Sequence, residues 1–207
     1  MYIVFEGIDG SGKTTQCQLL GRALDTRGYT PIYLQEPTYG ELGRNIRDVI
    51  ATESDLVPSE LHKLFTEDRV AHVNEKILPV LRLIEIHPNF VLLQSRGYLS
   101  APTYQADDLQ DLAAILRGQQ EIAPRPDMFI YIDVNERVAM QRIRNRDATR
   151  VTFDKEKKLK SIRERYLSLI DEPSERIVQF DGDQCEESLH QSILELVTTE
   201  LQGEQNE

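Results

Sequence analysis

The chain has 207 residues, of which 40 % are hydrophobic, 29 % charged and 7 % aromatic, with 11 Gly and 9 Pro. These proportions exclude collagen-like, low-complexity and wholly disordered chains, and the length fits one domain with a sizeable core. Lys plus Arg number 24 against 35 Asp plus Glu, and the net charge of -11 disfavours non-specific binding to nucleic acid or anionic membrane. Cys17 and Cys185 form no CxxC pair, which argues against a disulfide scaffold or a cysteine zinc site and suits a reducing cytoplasm. No apolar run approaches the ~18 residues of a membrane span. Met1–Glu6 lacks a basic region and turns polar too early for a signal peptide. A cytoplasmic protein without a nucleic-acid or membrane partner is expected.

In chain order, Tyr2–Glu6 reads as a short buried strand, followed by a Gly-rich turn and a helix over Thr14–Thr26. Pro31–Gln35 reads as a second strand and Gly43–Thr52 as a short helix. Pro58 opens a long helix running from Ser59 to about Leu83. Phe90–Gln94 is a third strand, and Asp107–Arg117 an amphipathic helix stopped by Gly118. Met128–Asp133 is a fourth strand with a helix after it through Asn145. Asp154–Ile170 is a charged helix, Arg176–Phe180 a fifth strand and Glu186–Leu201 a last helix, with residues 203–207 as a flexible tail. Short buried strands alternating with helices predict an α/β fold: three layers, a five-stranded parallel sheet with helices on both faces, in one domain over residues 1–202.

The chemistry begins at Gly7-Ile8-Asp9-Gly10-Ser11-Gly12-Lys13-Thr14, which fits the phosphate-loop pattern G-x-x-x-x-G-K-[ST] at every fixed position. Glycines let successive backbone N–H groups face a concavity, and the following helix adds its positive N-terminal end. Lys13 supplies charge to the β- and γ-phosphates, and the Thr14 hydroxyl can ligate Mg²⁺. A strand precedes the loop and a helix follows it, so the chain is expected to bind a nucleoside triphosphate. From Arg142 to Arg165 there are ten Lys or Arg against four Asp or Glu, a local balance of +6 that opposes the global sign. A solvated helix face accounts for its lysines but less well for Arg142, Arg144, Arg146 and Arg150.

The loop is followed in order by Gln35-Glu36-Pro37-Thr38, Phe65-Thr66-Glu67-Asp68-Arg69, Ser95-Arg96-Gly97, Thr103-Tyr104-Gln105, Arg125-Pro126-Asp127, Tyr131-Ile132-Asp133-Val134 and the Arg142–Arg150 segment. In that order and spacing the chain resembles the thymidylate kinase family from end to end. The resemblance implies a P-loop kinase fold and transfer of the γ-phosphoryl of ATP to dTMP with Mg²⁺, in a homodimer. It makes Gly7, Ile8, Asp9, Gly10, Ser11, Gly12, Lys13, Thr14, Thr15 and Arg142 the ATP site, and Lys13, Asp9, Arg96, Arg146 and Arg150 the catalytic set. Glu36, Pro37, Phe65, Arg69, Arg96, Tyr104 and Gln105 become the acceptor site: Phe65 stacks on the base, Arg69 bonds it, Arg96 holds its phosphate and Tyr104 lies beneath the sugar. Thr14 and Ser95 fall at the metal, and residues 144–152 become a mobile lid.

Three departures bear on the acceptor and the metal. Ser95 stands where the family usually has Asp, Ala101 where it commonly offers Thr or Asn to the base edge, and Gln35 where an Arg is frequent. They keep two alternatives open: a kinase with another nucleotide or nucleoside as acceptor, or a nucleotide-binding member with little turnover. His62, His72, His87 and His190 show no metal-ligand spacing and read as surface or packing residues. Gln16 reads as part of the solvated start of the first helix.

Overall fold

The computed structural model describes residues 1–52, 58–146 and 153–204. Five parallel strands are present: β1 (Tyr2–Glu6), β2 (Thr30–Gln35), β3 (Phe90–Ser95), β4 (Met128–Asp133) and β5 (Ile177–Asp181), ordered β2-β3-β1-β4-β5. Every residue of β1 is buried, as are nearly all of β3 and β4, so both faces of the central sheet are covered. Pro31, which has no N–H to donate, lies on β2 at the sheet edge, where it is tolerated.

The covering helices are α1 (Lys13–Asp25), α2 (Glu41–Ala51), α3 (Pro58–His72), α4 (Leu78–Ile86), α5 (Ser100–Gln105), α6 (Leu109–Ile122), α7 (Glu136–Arg146), α8 (Phe153–Ser168) and α9 (Glu186–Glu204). The β1–α1–β2 crossover runs one way along the sheet and the next three run the other way. Right-handed connections therefore put α1 on one face and the helices from α3 to α8 on the opposite face, while α9 packs on α1. The core gathers Ile3, Phe5, Leu20, Leu92, Phe129 and Ile193, among others. Full burial of such a side chain is worth roughly 1.5–3 kcal/mol.

Four elements differ from the sequence reading. The long helix after Pro58 is interrupted by a π-helical turn over Val73–Ile77, in which Leu78 N–H bonds to the Val73 carbonyl. The wider turn immediately precedes Pro79, a residue that a regular helix interior accommodates poorly. Ser100–Gln105, to which the sequence reading assigns no element, forms a helix; Pro102 is tolerated because it falls within the first turn, where no N–H is needed. The helix capped by Asp108 passes through Gly118, anchored beyond it by buried Gln119, and ends at Ala123 before Pro124. Finally, α9 runs to Glu204, beyond its expected end at Leu201. Residues 205–207 of the expected tail lie outside the described residues.

Gly118 is exposed, and a Cβ added there would meet nothing within 4 Å. Gly118→Ala is therefore expected to stabilise the protein by about 0.5–1 kcal/mol through the unfolded chain's lost freedom. Urea unfolding checks this; a lowered midpoint would contradict it.

Candidate active site

The chemistry-bearing residues collect where the carboxyl ends of β1, β3 and β4 meet the N-terminus of α1, the usual place for ligands in open α/β sheets. The loop after β1 depends on its glycines. Gly10 has φ +84°, and a Cβ there would lie 2.5 Å from the Ala139 carbonyl; Gly12 caps α1 at φ +95°. L-residues with side chains rarely adopt such angles. The loop borders a cavity of about 540 Å³, bounded across from it by Arg96, Arg142, Arg146 and Gly182.

Lys13 is buried at the start of α1, and its Nζ donates to the Ile8 carbonyl at 3.0 Å. Burial, then the neighbouring Arg96, lowers its pKa to about 7, against the opposing pull of Asp9 and Glu6. Arg142 spans the cavity wall, donating to the carbonyls of Gly182 at 2.9 Å and Ser11 at 3.4 Å. The Thr14 and Ser95 hydroxyls lie 3.0 Å apart, joining the loop to the end of β3. Thr15 lines the same cavity. Gln16 does not sit in solvent as the sequence suggested. It is 2 % exposed, and its Nε2 donates to the Glu186 carbonyl at 3.0 Å because α9 packs against α1 there.

Arg96 follows β3 with φ +67°. Its guanidinium bonds to Asp9, to the Tyr104 hydroxyl at 3.0 Å and to Ser100 Oγ at 3.2 Å, and lies 4.8 Å from the centre of the Tyr104 ring. Beneath it, Glu6 is fully buried and accepts from the N–H groups of Gly97 and Ser100 and from the hydroxyls of Ser100 and Tyr166. Burial raises the Glu6 carboxyl above the usual carboxylate range, with these donors and Arg96 offsetting only part of the effect.

Beyond Arg96 lies a second cluster. The Glu36–Pro37 peptide is cis, and Glu36 N–H donates to the Ser95 carbonyl at 3.1 Å. Arg69 reaches Glu36 Oε2 through Nε (2.9 Å) and Nη2 (2.5 Å), the Gly97 carbonyl at 3.0 Å, and Gln119 Oε1. His72 Nδ1 lies 3.1 Å from Glu36 Oε1. Burial alone would raise the Glu36 carboxyl, but Arg69 and His72 overcome it and hold it below the usual range. Phe65, one turn before Arg69, is half-buried, and Gln105 bonds His62. Ala101 is buried within α5.

The structure thus brings the loop, Arg96, Tyr104, Glu36 and Arg69 into one continuous set, with Arg142 and Arg146 across the cavity. Arg150 and most of the expected lid, residues 147–152, lie outside the described residues. Four residues escaped the sequence reading of the site: Glu6, His72, Gln119 and Tyr166. Glu6 alone carried a local signal, as an acid closing a fully apolar strand.

A phosphate loop on a parallel sheet, with arginines facing it from β3 and α7, defines a P-loop phosphotransferase. The thymidylate kinase family profile matches residues 5–193. A probable thymidylate kinase of Pyrococcus horikoshii is 37 % identical over 98 % of both chains. Thymidylate kinases of Leptospira borgpetersenii and Thermoanaerobacter sp. strain X514 are each 33 % identical over 95 % of this chain, and over 92 % and 96 % of their own. The chain belongs to the thymidylate kinase family, and is an ATP-dependent nucleotide kinase. Among the described residues no helix is long and apolar enough to cross a membrane.

The depressed Lys13 value has a measurable consequence. Its folded pKa of about 7 lies below the unfolded 10.5, so the free protein leaves Lys13 largely neutral at about pH 8. Triphosphate binding favours the ammonium, so ATP should take up most of one proton at about pH 8 and almost none below about pH 6. Calorimetric titration in buffers of different ionisation enthalpy measures this. Uptake independent of pH would contradict it.

Proposed function

We propose that the chain transfers the γ-phosphoryl group of ATP to the 5′-phosphate of dTMP, giving ADP and dTDP. The observation that carries this reading is Arg96: it borders the triphosphate cavity while bonding to Tyr104, and the next residue, Gly97, is held by Arg69 from the Glu36 cluster. One guanidinium so placed can receive the acceptor phosphate beside the donor's γ-phosphate. An oxygen of the dTMP phosphate, already anionic, attacks the γ-phosphorus, and the bond from that phosphorus to the β,γ-bridging oxygen breaks. No general base is needed, so catalysis rests on positioning and charge neutralisation.

In this reading Lys13, Arg96, Arg146 and Arg150 neutralise the phosphoryl oxygens, with Asp9 orienting Arg96. Residues 7–15 and Arg142 hold ATP. Phe65 offers a face to the thymine ring, Arg69 an N–H to a base carbonyl, and Tyr104 support beneath the sugar, with Pro37 and Gln105 closing the pocket. Thr14 and Ser95 would hold Mg²⁺. Two neutral hydroxyls 3.0 Å apart suit an ion that keeps several waters and takes its anionic oxygens from the substrate phosphates. Bound there, Mg²⁺ would offset the negative charge of the substrate phosphates. Residues 144–152 serve as the lid. A homodimer fits α4, which is mostly apolar yet has no buried residue; a cytoplasmic setting fits the composition.

The test is a coupled ADP-release assay with ATP and Mg²⁺ over a panel of acceptors: dTMP, dUMP, dCMP, dGMP and thymidine. dTMP should give the highest kcat/KM. Preference for another acceptor, or no turnover with any, would overturn the reading.

A further inference from the structure

We infer that His72 is a positioning residue for acceptor recognition: it fixes Glu36, which in turn fixes Arg69 against the acceptor base. This rests on the reading that dTMP binds beside Arg69. The side chains of His72 and Arg69 are each 3 % exposed and that of Glu36 6 %, so all three are shielded from solvent. Glu36 Oε2 forms an ion pair with the Arg69 guanidinium through Nε at 2.9 Å and Nη2 at 2.5 Å, and a carboxylate paired in this way only accepts hydrogen bonds. The Nδ1 of His72 facing Oε1 at 3.1 Å therefore carries a proton and donates it.

Both Glu36 oxygens are thus assigned. Oε1 takes His72, and Oε2 takes Nε and Nη2 of Arg69. Without His72, a buried carboxylate oxygen would lose its donor, and the group would rotate to share Arg69 between its two oxygens. That rotation would turn the guanidinium plane, which is otherwise fixed by Gln119 Oε1 and the Gly97 carbonyl. Four bonds employ four of the five Arg69 N–H groups and leave one on Nη1. A lone N–H held at a set angle donates to a base carbonyl and finds no acceptor in an amino group, so its direction decides which pyrimidine fits.

The backbone is arranged for this. Arg69 and His72, three residues apart, lie on one helix face, and Asp68 beside them binds Thr38 N–H at 2.8 Å and its hydroxyl at 2.5 Å. The π-helical turn begins at the next residue, letting Val73 and Ile77 enter the core directly after this polar face.

The test compares steady-state kinetics of wild type, His72→Ala, His72→Asn and His72→Gln with ATP and either dTMP or dCMP. Asn places an amide N–H near the Nδ1 position, whereas Gln displaces it by one carbon. For His72→Ala, KM for dTMP should rise about tenfold or more, while kcat and KM for ATP stay within about threefold. The preference for dTMP over dCMP should narrow in parallel, and His72→Asn should recover most of both losses while His72→Gln should not. An unchanged KM for dTMP would overturn the proposal. So would equal increases in KM for ATP and dTMP, or an Asn variant no better than Gln, since a purely structural role predicts those results. Should the Ala variant fail to fold, the Asn and Gln pair still decides. A wild-type enzyme that prefers another acceptor would instead defeat the dTMP reading, and the same split measured with that acceptor would then judge His72.

Discussion

Lys13→Ala is expected to lower kcat by about 10²–10³-fold, the loss seen when one preorganised donor to a developing anion is removed, or about 2.7–4 kcal/mol. The same substitution should not unfold the protein. Its ammonium makes one hydrogen bond, to the Ile8 carbonyl, and burial holds its pKa near 7. A lysine with a folded value below 10.5 binds fewer protons folded than unfolded, so the wild type gains stability as pH rises from about 7 towards 10.5. Removing the group removes that pH dependence and relieves an unfavourable burial. The melting temperature at neutral pH should therefore stay level or rise while turnover collapses, a trade of stability for activity. Retention of more than about a tenth of wild-type kcat would contradict the role of the loop.

The sheet was legible because its physics is local. A strand covered on both faces must be apolar throughout, and β1, β3 and β4 show that pattern directly in the sequence. What escaped was set by exceptions to local rules. Pro102 and Gly118 normally punctuate structure, yet one falls in a first turn and the other in a helix anchored further on by buried Gln119. The π-helical turn before Pro79 leaves no signature beyond that proline.

The site divides in the same way. The phosphate loop was legible because its backbone requires glycine at the pattern's two fixed glycine positions, Gly7 and Gly12, where φ is +149° and +95°. Arg96, Tyr104, Glu36 and Arg69 could be named only through a resemblance of the whole ordered chain, since nothing in their spacing reports that they meet. Glu6, His72 and Gln119 lie on β1, α3 and α6 and come together only once the sheet is assembled. Their partners, Gly97, Glu36 and Arg69, are 91, 36 and 50 residues away in sequence. No window of sequence contains such a pair.

Arg96→Gly should separate fold from function at the other end of the site. Arg96 holds φ +67°, a conformation that costs a non-glycine residue roughly 1–2 kcal/mol. The backbone is kept there by three bonds that do not involve its side chain: Arg96 N–H to the Phe5 carbonyl at 2.9 Å, Gln94 Nε2 to the Arg96 carbonyl at 2.9 Å, and Gly97 N–H to Glu6 Oε1 at 2.8 Å. Glycine adopts this geometry without penalty and keeps all three. Against that gain stand the lost contacts to Asp9, Tyr104 and Ser100. The Asp9 side chain is 46 % exposed, so water takes over much of its solvation, and the two effects should nearly cancel. Urea unfolding should place the variant within about 1 kcal/mol of wild type. Activity should not be spared. The guanidinium touches the cavity, Asp9 and Tyr104 together, and its loss should reduce kcat/KM for dTMP by about 10²–10³-fold. Arg96→Lys should recover little of this, since an ammonium cannot bond Asp9, Tyr104 and a phosphate in the fixed fork of a guanidinium. A glycine variant that keeps its activity would show that the acceptor phosphate is held elsewhere. One that unfolds would show that the side chain, rather than Glu6 and Gln94, secures the turn.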